Sequence, residues 1–258
     1  MKKNFFTVVL LMFSLLIVTP MLFTISKSFI NVEGDGLSFN QYSLLISCES
    51  EYLIKYMNSI AYVVPIVVLQ LLVSTLASFA FSRSEGRIKQ IIFFVYVIIM
   101  LMPYQVNLVP NYLVSDYLDL INTRWAIWLP GIFSPFAVYI ITNYMKRIPK
   151  GLFEAAKIDG AGEFKIFTRI SLPVCKGIIA ASGMLIFFDY WNMVEQPLVL
   201  LSSDNLYPLS VCMSNIEFND LDVAFAVATI YMIPGIIIFL GGEKYLIEGI
   251  TYQGGIKG

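Results

Sequence analysis

Two glycine-bearing stretches, "EGDG" at 33–36 and "DGAGEF" at 159–164, are the first places to look for chemistry. A phosphate cradle needs the spacing GxxxxGK, which gathers backbone N–H groups and brings a lysine to the outer phosphates. Neither stretch has it, so the chain is expected neither to bind nor to hydrolyse ATP. Histidine is absent, and the three cysteines, Cys48, Cys175 and Cys212, are scattered without a CxxC. They read as small apolar fillers. With no close acidic or cysteine cluster there is no ligand set for a catalytic metal. A net charge of −1 offers no basic field for nucleic acid.

What remains is polarity set in apolar surroundings. Asp189 and Asn192 are three residues apart and share a helix face, and Glu195 continues that line. Such groups are costly in a membrane unless they face a cavity or a partner. They therefore line a solute path or close an interhelical contact near the headgroups. Tyr190 and Trp191 could stack on a sugar or belong to an interfacial aromatic belt, and Trp125 and Trp128 read as belt. Asn58 either bonds between helices or meets solute.

The elements that position these residues follow from composition. Of 258 residues, 58% are hydrophobic and 14% charged, where soluble domains carry about 25% charged. The mean hydropathy is +0.75. At roughly 20 residues per crossing, about half a dozen membrane helices fit. They are expected at 5–25, 57–80, 91–110, 125–144, 178–199 and 223–241. The fold class is thus all-α, a polytopic membrane protein, with residues 1–258 as one transmembrane domain. Lys2 and Lys3 resemble the head of a signal peptide. The apolar run reaches Phe23, however, beyond a signal core of about 7–15 residues, so an uncleaved first helix is expected. Pro20, Pro65, Pro103, Pro130, Pro135, Gly183, Pro234 and Gly235 fall inside the spans. Neighbouring helices can satisfy the carbonyls that such kinks free. Ser74, Ala77 and Ser78 are small packing residues suited to a helix buried against others.

Charge sets the orientation. With the N-terminus inside, fourteen of the seventeen Lys and Arg residues fall on the inner side, and only Lys27, Lys55 and Arg124 fall outside. The reverse topology would invert the positive-inside rule. Both termini are expected in the cytoplasm, together with the segment "LFEAAKIDGAGEFKIFTRISLP" at 152–173. The outer side carries a long loop at about 26–56 and a shorter one near 200–222, with Asp204, Glu217, Asp220 and Asp222.

That inner segment can form a short amphipathic helix with Leu152, Ala155, Ala156 and Ile158 on its apolar face and Glu154 and Lys157 spaced to pair. A second short helix follows through Phe164, Phe167 and Ile170, until Pro173 breaks it. The pattern suits an interfacial helix on the bilayer or a docking helix for a cytoplasmic partner.

The order Glu154-Ala155-Ala156, three residues, Gly160, nine residues, Ile170-x-Leu172-Pro173 resembles the coupling loop of binding-protein-dependent ABC transporter permeases, with the usual Asp159 before the glycine. Further stretches resemble the sugar-importer branch: "YMNSI" at 56–60, "MPYQVNLVPNYLVSDYLDLINTRWAIWLP" at 102–130, "YWNMVEQPLVLL" at 190–201 and "EKYLIEGITYQGGIKG" at 243–258. Gly177, Glu195 and Glu243-Lys244 depart from that pattern. They leave the sugar open.

The resemblance implies a non-enzymatic subunit with six transmembrane helices and a coupling helix between the fourth and fifth. It implies a second permease subunit, two ATP-binding subunits that hold ATP and Mg, an extracytoplasmic solute-binding protein and a bacterial inner-membrane location. No cofactor is implied in this chain. Glu154 would anchor on a basic group of the ATPase, and Ala155, Ala156 and Gly160 would permit close packing. Ile158 and Ala161 belong to the same docking segment, Asp159 would cap it or form a salt bridge, and Leu172 and Pro173 would fix where the lever joins the fifth span. Asn58, Asp189, Trp191, Asn192 and Glu195 are the candidates for the sugar path. A permease for a glycerol phosphate or amino sugar, a membrane scaffold, and a secondary carrier are the competing readings. A carrier should show buried coupling charges or inverted repeats, and neither is evident.

Overall fold

A computed structural model describes residues 2–30, 36–46, 51–83, 86–214 and 221–251. Cys48, most of the "EGDG" stretch, Glu217, Asp220 and the tail from 252 lie outside the described residues.

The described chain is helical. Its elements are α1 (Lys2–Lys27), α2 (Asn40–Ile46), α3 (Glu51–Ser82), α4 (Arg87–Met100), α5 (Tyr104–Tyr117), α6 (Trp125–Ile132), α7 (Pro135–Met145), α8 (Lys150–Ile158), α9 (Glu163–Ile166), α10 (Leu172–Val174), α11 (Lys176–Trp191), α12 (Glu195–Leu200), α13 (Leu209–Ser214) and α14 (Leu221–Thr251). Four helical stretches are long and apolar enough to cross a membrane: Phe5–Lys27, Glu51–Ser82, Trp125–Met145 and Val223–Ile247. Two bent pairs raise the number to six if each counts as one span.

The centre of the bundle is α3 packed against α6, α7 and α11, with α14 along α11. Tyr62, Ile66, Ala126, Ile127, Ala137 and Ile141 are fully buried there. Lipid tails are as apolar as leucine, so helices in a bilayer associate through close packing rather than water exclusion. Small residues make the approach possible. A Cβ on Gly183 of α11 would sit 3.0 Å from Leu71 of α3. Ser78 is buried and its hydroxyl donates to the Val138 carbonyl of α7 at 3.0 Å, as its place among the small packing residues predicts. By contrast, α4 has no buried residue and α1 exposes Phe5, Leu16 and Ile17. These faces are left for lipid or another chain.

The third expected span differs from a straight helix over 91–110. The chain breaks at Leu101–Pro103, and α4 and α5 meet at 103°. Pro103 has no N–H to continue the ladder and disfavours helical geometry at Met102. The fourteen residues of α4 rise about 21 Å, short of a hydrocarbon core of about 30 Å. The fifth expected span, 178–199, is also interrupted. Helix α11 ends at Trp191, and Glu195 opens the separate α12.

Candidate functional site

The 152–173 segment folds as two short arms. Helix α8 begins after Pro149, whose fixed φ suits a helix entry, and ends in a Schellman turn. Gly160 has φ +76°, its N–H donates to the Lys157 carbonyl at 3.0 Å, and the Ala161 N–H donates to the Ala156 carbonyl at 2.9 Å. Together these satisfy orphan carbonyls at the helix end. A Cβ on Gly160 would meet nothing within 4 Å, so within this chain the glycine serves the backbone conformation. Beyond it, α9 passes into a π-helical turn at Phe167–Ser171. The Leu172 N–H reaches back to the Phe167 carbonyl, and Pro173 then has no N–H to donate. The 74° bend into α11 comes at Cys175, two residues after Pro173.

The amphipathic face points outward. Leu152 and Ala155 are exposed, Ala156 is half-buried, and Ile158 is 87% exposed. Glu154 and Asp159 are exposed as well. The residue of α8 that turns inward is Phe153, against the main core. The expected pairing of Glu154 with Lys157 is replaced: Lys157 lies 3.1 Å from Glu163, because the Schellman turn folds α9 back beside α8. Behind α8 lies a cavity of about 220 Å³ between the ends of α3 and α7, lined by Arg83, Lys146, Ile148, Lys150, Phe153 and Glu154 among others.

The polar residues near 190 gather where α11 gives way to α12, beside the α4–α5 bend. Asp189, Asn192 and Glu195 are exposed. Gln105, just past the α4–α5 bend, donates to Glu195 at 3.3 Å. Asn192 donates to the Phe188 carbonyl at 2.7 Å and accepts from the Tyr231 hydroxyl at 3.0 Å. Trp191 is different: it is 3% exposed and stacked on Phe187 at 5.3 Å and on Tyr231 at 5.4 Å. Its indole donates to the Tyr231 carbonyl at 3.2 Å, and the Tyr231 hydroxyl donates to the Trp191 carbonyl at 2.7 Å. Asn58 is also buried, and its amide is engaged. It donates to the Asn205 and Tyr207 carbonyls at 2.7 and 3.2 Å and accepts from Arg124 at 3.1 Å. Trp125 is exposed, as a belt residue would be, and packs edge-on against Trp128 at 5.1 Å.

Residues 4–252 match the family model described as "Binding-protein-dependent transport system inner membrane component". The chain belongs to this family. Among its relatives is the arabinooligosaccharides transport system permease protein AraQ of Bacillus subtilis, 31% identical over 89% of this chain and 82% of that one. The AraQ protein of Halalkalibacterium halodurans is 32% identical over 78% of this chain and 73% of that one. A crystal structure of a bacterial ABC transporter involved in the import of the acidic polysaccharide alginate superposes with a TM-score of 0.83. It covers 94% of this chain and 95% of that one at 22% identity, a likeness of fold.

The permease is therefore a multi-pass membrane subunit of an ABC importer, a non-catalytic transport component. Its sequence singles out the helix-and-glycine pattern of the 152–173 segment but not the neck that holds it. Arg83, Phe153 and Glu163, from three elements, meet there. The one available signal is a basic residue ending an apolar span, which is indistinguishable from an ordinary inner-side charge. The permease also brings Gln105 to Glu195 across ninety positions of sequence, a pairing no local pattern announces.

Proposed function

We propose that this chain is one of two membrane subunits of a carbohydrate importer, with α8 as the helix that docks on a separate ATPase. The observation that carries this reading is the exposed face of α8. A helix stopped by a Schellman glycine presents Glu154, Ala155 and Ile158 to the outside while Phe153 fixes it from behind. An apolar residue such as Ile158 gains from being covered, by about 25 cal/mol per Å² of apolar area buried. The bordering Glu154 offers a carboxylate to a basic partner group. ATP and Mg are held by the ATPase, and this chain supplies motion rather than chemistry.

The solute passes at the α11–α12 break, where Glu195 meets Gln105 and Asp189 and Asn192 stand exposed. Trp191, with Tyr231, holds that region from behind, and Asn58 fixes the 205–207 segment. Exposed carboxylates at membrane depth call for water or a partner, and a solute path supplies the first. The AraQ proteins are named for arabinooligosaccharides, which supports a sugar oligomer as cargo. An extracytoplasmic binding protein delivers it, and both termini face the cytoplasm of a bacterial inner membrane.

Capture of the ATP-binding subunit by the tagged permease tests the docking. Wild type should retain it and Glu154→Lys should lose most of it, while Lys165→Glu, one arm further on, should not. Equal capture by Glu154→Lys and wild type would sink the assignment. Uptake by a deletion strain, offered arabinooligosaccharides, uronate oligomers and glycerol phosphate in turn, tests the cargo.

A further inference from the structure

Arg83, the first residue beyond α3, ties the loop to the bundle. Its guanidinium lies 4.7 Å from the Phe153 ring centroid of α8 and 5.2 Å from that of Phe79 in the last turn of α3. Its Nη1 is 3.1 Å from Glu163 Oε2, and its Nη2 donates to Oε1 at 3.5 Å. Glu163 in turn holds Lys157 at 3.1 Å. Both arms of the loop thus converge on one side chain: α8 through Phe153 and Lys157, α9 through Glu163. Phe167 adds a contact to Phe79 at 5.2 Å, while Ile158 and Phe164 stand in the open. A guanidinium suits this joint because it stacks on aromatic faces while its edge still reaches a carboxylate, which an ammonium cannot do.

The far end of α3 is tied just as firmly. Lys55 pairs with Asp204 at 3.0 Å. Asn58 holds the Asn205 and Tyr207 carbonyls, Tyr62 donates to the Leu206 carbonyl at 2.9 Å, and the Leu209 N–H donates to Ser59 at 2.9 Å. Helix α3 has 32 residues, about 48 Å of rise. One continuous helix therefore joins the α8–α9 loop to the 203–209 segment at the opposite face.

We infer that Arg83 is a positioning residue for transport: displacement of α8 and α9 reaches α3 through its guanidinium, and α3 carries it to the 203–209 segment. This rests on the docking of α8 to an ATPase. Apolar contacts such as Phe79–Phe167 let surfaces slide, whereas a guanidinium set over Phe79 and Phe153 and paired with Glu163 holds orientation. The continuous element is the helix, unbroken through Pro65, and the transmitting contact is Arg83 with Glu163.

The test uses the assembled transporter in proteoliposomes, with the three native cysteines replaced by alanine and Asn205→Cys as reporter. Asn205 is exposed, and Asn58 bonds only its carbonyl. Labelling by a membrane-impermeant maleimide is followed with and without ATP. The unaltered Arg83 form should change its labelling rate when ATP is added. Arg83→Gln and Glu163→Gln should each lose that response while the ATPase still co-purifies and hydrolyses ATP. Arg83→Lys should recover little of it. The double variant should be no worse than either single one, as for two residues acting through one contact. If Arg83→Gln fails to assemble, Glu163→Gln carries the test. A full ATP response in the assembled variants, losses that multiply in the double variant, or no ATP response in the unaltered form would overturn the inference. Failure of the wild type to retain any ATPase would remove the docking reading and this inference with it. Retained ATPase with an undiminished response overturns the inference alone.

Discussion

At φ +76° Gly160 occupies backbone space that costs an L-residue roughly 1–2 kcal/mol. Gly160→Ala is therefore expected to loosen the turn between α8 and α9 although nothing stands in the way of the added methyl. Trypsin cleavage at Lys157 and Lys165 should rise, and Gly160→Asn, better tolerated in this region, should rise less. Unchanged cleavage in the alanine variant would mean that the loop holds its shape through Glu163 instead. Trp191 lies at the other extreme of burial. Trp191→Ala empties a stack between Phe187 and Tyr231 and leaves the Tyr231 carbonyl without its indole donor. A loss on the order of 3–5 kcal/mol is expected, read as a lower melting temperature of the detergent-solubilised transporter. A melting temperature equal to wild type would show that this residue is not the packed centre described here.

Among the elements, the α4–α5 bend is the largest departure from the sequence expectation, and it makes a clear prediction. If Pro103 causes it, Pro103→Ala should let the helix run on, and spin labels at positions 91 and 113 should move apart towards about 33 Å, the rise of 22 helical residues. An unchanged distance would assign the bend to packing of α5 against α12. Near the 203–209 segment, Asn58→Ala removes the side chain that holds two carbonyls and takes one acceptor from Arg124. A cost of about 1–3 kcal/mol is expected for such a loss. It should appear as faster amide exchange over 203–209, with α7 unaffected.

For the whole molecule, the ends of the bundle are chemically unlike. Arg83, Lys146, Lys150 and Lys157 line one cavity at one end, and Lys55 and Arg124 are tied into the 203–207 region at the other. By the positive-inside rule the cavity end is the one expected in the cytoplasm. Impermeant maleimide should label Ser202→Cys in intact spheroplasts and Lys165→Cys only after permeabilisation. The opposite pattern would invert the orientation and move α8 out of reach of an ATPase. The apolar faces of α1 and α4 call for lipid or a second subunit; if the proposed second permease subunit covers them, the chain expressed alone should be degraded faster than the pair.

The sequence by itself determined the all-helical membrane class, the sign asymmetry of the two ends and the motif at 152–173. Each of these is written in local terms: the length of apolar runs, charge counts, or the spacing of small and acidic residues within one segment. It also marked Asp189, Asn192 and Glu195 as polar groups in an apolar setting, and the structure leaves all three exposed. It could not tell that Trp191 and Asn58, from the same candidate path, are packed inside, because burial depends on which helix lies alongside. The break at 101–103 turned on whether neighbouring helices would keep Pro103 in line, and the structure shows that they did not. Only the tertiary structure placed Arg83, Phe153 and Glu163 together, since contacts made across eighty positions of sequence are set by how α3, α8 and α9 pack and leave no trace in any one of them.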